Sequence, residues 1–258
     1  MRRAKIICTL GPSSATPEII SDLMVAGLDV ARLNFSHGTH ETHRQTLELV
    51  RKAALDLGRP VAILADLQGP KIRVGKMAGG DPIQLDNGAE LLLTADEVEG
   101  TPARIPHTYC PLHLDVSPGD RILLDDGRME LQVLGIEGDD VRCQVVVGGT
   151  LSDRKGMNLP GVALSTPSLT DKDRADLAFA AELGVDYLAI SFVRHPEDVA
   201  QAQELAGGIP VIAKIEKPEA VACFEEILTQ ADGIMVARGD LGVELGVELV
   251  PLIQKRLI

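Results

Sequence analysis

Apolar and polar positions follow two different rhythms along this chain. In its first and last parts, continuous apolar runs near residues 5–10, 28–35, 61–66, 186–193, 210–216 and 233–238 alternate with stretches of helical period. Such runs predict strands of a parallel sheet covered on both faces, not a sheet with one wet side. Thr16 and Pro17 open a first helix that carries Ile19, Ile20, Leu23 and Met24, and Gly27 closes it. Leu47, Val50, Ala54 and Leu57 mark a second helix ending at Gly58, and Leu177, Ala180 and Ala181 a third ending at Gly184. Pro196 and Pro218 each start another. Six strand units with helices between them predict right-handed βα repeats, either a barrel or a doubly wound sheet.

From about Pro70 to Thr166 the helical period disappears. Turn signals multiply instead: Asn87-Gly88, Pro118-Gly119-Asp120, Asp126-Gly127, Gly138-Asp139 and Gly148-Gly149, with alternating runs such as Arg128–Leu134 and Val141–Val147 between them. This pattern predicts a small all-β domain, inserted after the third strand at the end where parallel α/β folds place their active-site loops. The expected organisation is therefore 1–69 for the first part of the α/β domain, 70–166 for a β-rich lid, and 167–258 for the second α/β part.

Composition narrows the function classes. Among 258 residues, 45% are hydrophobic but only 2% aromatic, so the core must be aliphatic and stacking platforms for nucleic-acid bases are scarce. The net charge of -13 disfavours a nucleic-acid partner. No apolar run approaches the roughly 18 residues of a membrane span. Arg2 and Arg3 are not followed by a convincing signal sequence, so a soluble, cytoplasmic protein is expected. Cys8, Cys110, Cys143 and Cys223 show no CxxC spacing and lie mostly in apolar runs, which predicts buried free thiols.

Charged side chains concentrate where the predicted strands end. The second strand runs into Arg32-Leu33-Asn34-Phe35-Ser36-His37, and a period of two sends Arg32, Asn34 and Ser36 to one side. The third ends at Asp66 and leads to Gly69-Pro70-Lys71-Ile72-Arg73; the fifth carries Lys214 and Glu216; the sixth ends in Arg238-Gly239-Asp240. Polar groups aimed inward cost several kcal/mol unless they meet partners, so their convergence calls for a ligand or a dense ion-pair network. Glu216 and Asp240 are hard oxygen donors suited to Mg²⁺. Arg32, Arg73 and Lys214 supply the donors that phosphate requires. Together these residue types describe metal-assisted phosphoryl transfer. Taken singly, each has a plainer role: Lys214 as a Schiff-base or salt-bridged core lysine, Glu216 as its structural partner, Arg238 as a brace for the following loop. The spacing of His37, His40 and His43 suits solvent-facing helix positions better than a metal cluster.

The strings KIICTLGP at 5–12, ARLNFSHGTHETH at 31–43, VIAKIEKPEAV at 211–221 and GIMVARGDLGVE at 233–244 resemble the pyruvate kinases, as does KGMNLPG at 155–161 within the insertion. The resemblance runs the whole length of the chain. It implies a parallel βα barrel of the TIM type, with six of eight units present, and an inserted small all-β barrel domain. It also implies phosphoryl transfer from phosphoenolpyruvate to ADP, giving pyruvate and ATP in glycolysis with Mg²⁺ or Mn²⁺. On this resemblance Arg32 and Lys214 would be catalytic, neutralising the moving phosphoryl group. Glu216 and Asp240 would hold the metal, and Gly239 would let the backbone approach the substrate carboxylate. Arg73, Lys155 and, less directly, His37 would reach the nucleotide phosphates.

Many relatives hold K⁺ with residues matching Asn34, Ser36, Asp66 and the position of Leu67 here. In this chain Lys71 stands where K⁺-dependent members have Glu, so its ammonium is expected to replace the ion and K⁺ is not expected to be required. The two α/β segments, 1–69 and 167–258, fall short of the roughly 250 residues of eight units; on the resemblance, the family's seventh and eighth strands and its C-terminal domain would lie beyond Ile258. A homo-oligomer is expected of the full-length form. Three alternatives remain open at this stage: a catalytically incompetent fragment that binds only ligand or partner, a metal-dependent lyase acting on a pyruvate-like substrate, and a Schiff-base aldolase using Lys214.

Overall fold

The computed structural model describes residues 3–258. The chain begins with β1 (Ile7–Leu10), α1 (Pro17–Ala26), β2 (Val30–Asn34), α2 (His40–Leu57) and β3 (Ala62–Asp66). It continues through β4 (Ile83–Leu85), β5 (Glu90–Thr94), β6 (Arg104–Pro106), α3 (Leu112–Asp115), β7 (Arg121–Leu124), β8 (Met129–Glu137), β9 (Asp140–Val147), β10 (Gly149–Leu151) and β11 (Met157–Asn158). After α4 (Asp171–Leu183) come β12 (Tyr187–Ile190), α5 (Pro196–Leu205), β13 (Val211–Ile215), α6 (Pro218–Ala222), α7 (Phe224–Gln230) and β14 (Gly233–Val236). Two helices close the chain, α8 (Arg238–Leu245) and α9 (Val250–Leu257).

Two compact units result: residues 1–70 with 167–237, and residues 71–166 with 238–258. In the first, six parallel strands lie in the order β1-β2-β3-β12-β13-β14, the sequential order of TIM-type βα units. Its helices start and stop where their end residues dictate. The Thr16 hydroxyl accepts from the Ile19 amide, and Gly27, at φ 114°, takes the left-handed conformation that ends α1. Thr39 with Thr42, and Thr170 with Asp173, form reciprocal capping boxes on α2 and α4. The central strands bury Leu33, Ile63, Leu64, Leu188, Ala189 and Ala213. Each leucine and isoleucine among these contributes roughly 1.5–3 kcal/mol by leaving water. Cover on both faces holds for these central strands but not at the sheet's margins, where β14 is half-buried throughout and Ile7 of β1 is exposed.

In the second unit the mixed sheet runs β11-β7-β8-β9-β5-β6, antiparallel except for the β5–β6 pair, and β10 with β4 forms a separate two-stranded ladder. The turn residues act where the sequence places them. Asp125, Asp126 and Gly127, all at positive φ, link β7 to β8, and Gly138-Asp139 closes the β8–β9 hairpin between Glu137 and Asp140. An aliphatic core of Leu93, Ile105, Ile122, Leu131, Val141 and their neighbours fills this unit. Residues 238–258 group with it, and Asn158 Nδ2 donates to Glu244 Oε1 at 3.0 Å.

Several expectations are corrected at the level of single residues. The sixth strand stops at Val236, and Arg238, Gly239 and Asp240 form the first turn of α8. The inward face of α2 is Thr46, Leu47, Val50 and Ala53; Leu57, in its last turn, is exposed. His43 is buried, not solvent-facing, because its ring stacks on Phe35 with centroids 4.2 Å apart. All four cysteines are free, but only Cys143 is buried, and Cys110 is exposed.

Candidate active site

The first unit gathers four of the predicted site residues at the C-terminal ends of its strands. Period two turns Arg32 of β2 to the side where Asp66 closes β3, and the strand register brings Asn34 opposite Asp66. Arg32 Nε donates to Asp66 Oδ2 at 2.6 Å, its Nη2 meets the same oxygen, and its Nη1 donates to Thr9 Oγ1 at 2.6 Å. From β13, Lys214 Nζ lies 3.4 Å from Asp66 Oδ1 and 3.4 Å from Glu216 Oε2. The same ammonium donates to Ser191 Oγ at 2.5 Å, and Ser191 Oγ donates to the Leu67 carbonyl at 2.8 Å. Glu216 Oε1 accepts from the Phe192 amide at 2.6 Å. Asp66, Glu216, Lys214 and Ser191 are all buried, so these charges interact where water screens them weakly. Arg32 and Lys214 thus face Asp66 and Glu216, a pairing of opposite charges of the kind burial demands.

Two histidines of the second motif, His40 and His43, are held by packing and polar contacts. His43 Nε2 donates to the His37 carbonyl at 2.9 Å, and burial lowers the His43 pKa despite that bond. His40 stacks on Phe179 and contacts Asp176 at 2.7 Å. The His37 side chain is exposed. Asn34 Oδ1 accepts from the Ser36 amide at 3.1 Å, an Asx turn that ends β2.

The second unit holds the remaining predicted residues. Lys71 Nζ lies 3.6 Å from Asp240 Oδ1. Arg73 Nη1 donates to the Arg154 carbonyl at 3.0 Å, and Lys155 Nζ contacts Asp125 Oδ1 at 2.8 Å. Gly239 sits in the first turn of α8, and a Cβ there would meet nothing within 4 Å.

In the first unit Glu216 is a hard oxygen donor of the kind Mg²⁺ takes, and the Phe192 amide fixes one of its oxygens. Among the described residues no three His, Cys, Asp or Glu side chains gather to hold a metal by themselves. An ion held by one or two carboxylates takes its remaining ligands from substrate and water, as Mg²⁺ commonly does.

A family model described as pyruvate kinase, barrel domain, matches residues 1–258. The chain belongs to the pyruvate kinase family. It is 52% identical over its full length to a pyruvate kinase of Corynebacterium glutamicum, 53% to one of Mycobacterium intracellulare and 47% to one of Staphylococcus aureus. It spans 55% of the first two relatives and 45% of the third, about half the length of the curated proteins it matches. Membership of the pyruvate kinase family agrees with the parallel sheet and the separate β-rich unit, and neither the comparisons nor the site favours the lyase or aldolase reading.

Sequence reasoning missed Ser191 and Phe192. Their signal was present: a small hydroxyl interrupting the apolar run of β12 at its C-terminal end, where chemistry is expected. It also missed Asp173, announced by Thr170-x-x-Asp173, whose Oδ1 accepts from the Gly69 amide at 2.9 Å.

Proposed function

We propose that this chain is the catalytic-barrel portion of an enzyme that transfers the phosphoryl group of phosphoenolpyruvate to ADP, giving pyruvate and ATP. The observation that carries this reading is the cluster of half-buried Arg32 with buried Asp66, Lys214 and Glu216 at the strand ends of a pyruvate kinase family member. Arg32 and Lys214 present fixed positive charge to the phosphoryl group, with Asp66 holding both cations so that neither must reorganise as charge shifts. Glu216 and Asp240 would hold Mg²⁺, which would supply positive charge to offset the negative charge of the substrate's oxygens. Gly239 lets the backbone approach that carboxylate, while Arg73, Lys155 and His37 serve the nucleotide phosphates. The proposed assignment of 167–258 to the barrel domain includes Asp240.

K⁺ is not required on this reading. Three of the groups that relatives would offer the ion already accept hydrogen bonds: Asn34 Oδ1 from Ser36, Asp66 Oδ2 from Arg32, and the Leu67 carbonyl from Ser191. Lys71 supplies a cation beside Asp240. Cytoplasmic location and a homo-oligomeric full-length form complete the proposal. Among the described residues, no helix is long and apolar enough to cross a membrane.

A coupled assay of ATP formation, run on this chain and on a longer version of it, tests the reading. Lys214→Met should abolish turnover while Mn²⁺ affinity is largely kept. Unchanged turnover in that variant, or activation by K⁺ that Na⁺ cannot mimic, would remove the corresponding role.

A further inference from the structure

We infer that Ser191 is a positioning residue, and that the Ser191–Phe192 corner after β12 holds the Lys214 amine and the Glu216 carboxylate at fixed places for the reaction. This role rests on the phosphoryl-transfer reading above. A carbonyl oxygen can only accept, so the bond between Ser191 Oγ and the Leu67 carbonyl at 2.8 Å consumes the hydroxyl proton. The serine oxygen therefore turns its lone pairs to Lys214, whose ammonium must be the donor in their 2.5 Å contact. Ser191 Oγ thus adds a neutral acceptor to an ammonium that lies 3.4 Å from Asp66 Oδ1 and 3.4 Å from Glu216 Oε2, and helps to fix its place between the two carboxylates.

One residue on, the backbone does the same for Glu216. Phe192 has φ 57°, a left-handed conformation that a bulky side chain adopts at a cost of about 1–2 kcal/mol. In this conformation its amide donates to Glu216 Oε1 at 2.6 Å. The ring is admitted because Gly69 faces it: a Cβ on Gly69 would lie 2.7 Å from Phe192 Cδ2 and 3.0 Å from Ser191 Cβ. The corner thus fixes, through adjacent residues, the proposed phosphoryl-binding cation and the proposed metal-binding carboxylate.

The test uses Ser191→Ala and Ser191→Thr, made in this chain and in a longer version. NMR of protein labelled with [¹³Cε]lysine should show two distinct Hε resonances for Lys214 in the parent, merging in Ser191→Ala and restored in Ser191→Thr. The Ala variant should lose kcat roughly 10- to 100-fold, the scale of a misplacement near 1 Å. Its Mn²⁺ affinity should stay within about twofold because the Phe192 amide still holds Glu216. The threonine variant should recover most of kcat. Unchanged Lys214 resonances in Ser191→Ala overturn the inference, as does an undiminished kcat. Merging resonances in a protein that forms no ATP at any length would support the positioning of Lys214 and overturn the phosphoryl-transfer reading instead.

Discussion

His107 in the β-rich unit ties the stability of that unit to pH. Its ring is buried, with Nδ1 accepting from the Tyr109 amide at 3.2 Å and Nε2 meeting no hydrogen-bond partner among the described residues. Burial pushes its pKa down from 6.5 to about 4; Asp140 opposes this shift and His113 adds to it. The folded chain therefore keeps this ring neutral at pH values where the unfolded chain has already bound a proton. Stability is complete above the unfolded pKa and falls as pH drops from 6.5 toward 4. With 1.36 kcal/mol per unit, the loss reaches about 3 kcal/mol near pH 4, a large share of a typical domain's 5–15 kcal/mol. His107→Asn keeps an acceptor for the Tyr109 amide but cannot take up the proton. Urea unfolding at pH 7, 5.5 and 4.5, followed by far-UV circular dichroism and tyrosine absorbance, gives the comparison. The parent should lose more stability than the variant on acidification, by an amount approaching that figure. Parallel pH profiles for the two proteins would refute the reasoning.

Gly69→Ala should lower stability by about 2–4 kcal/mol in denaturant titration. The residue has φ 70°, and the added methyl would stand against Phe192 and Ser191. Asp173→Ala should cost about 2–4 kcal/mol by the same measurement, because a fully buried carboxylate that accepts from Gly69, from the Thr170 amide and from the Thr170 hydroxyl is removed. Of the thiols, exposed Cys110 should react with a disulfide reagent in the native protein, while Cys143 should not until unfolding, since burial raises its pKa to about 12. Mass spectrometry after timed labelling separates the two.

The legible parts of the fold were those written in local pattern. Continuous apolar runs placed the parallel strands because a strand covered on both faces has no polar side to show, and Gly27, Gly58 and Gly184 marked helix ends because each adopts a left-handed cap. The site was legible where charge interrupts a strand end, at Arg32, Asp66, Lys214 and Glu216. What local pattern could not show was tertiary. The burial of His43 depends on Phe35 stacking over it, and the grouping of 238–258 with the β-rich unit depends on contacts such as Asn158 with Glu244. Ser191 and Phe192 escaped notice because their importance lies in what approaches them from β3 and β13, which no spacing along β12 reveals.

The sheet order also bears on how quickly the chain reaches its native state. Most strands of the parallel sheet join near neighbours in sequence, but β3 pairs with β12, bringing Asp66 beside Ala189 across about 120 residues. Closing so long a loop early is slow, since its entropy is lost before any contact repays it. In the β-rich unit, Arg73 bridges Gly156, so once that unit forms, the open path between the two strands shrinks to about 40 residues. The saving is about 1 kcal/mol of closure entropy, a several-fold gain in rate if the insertion folds first.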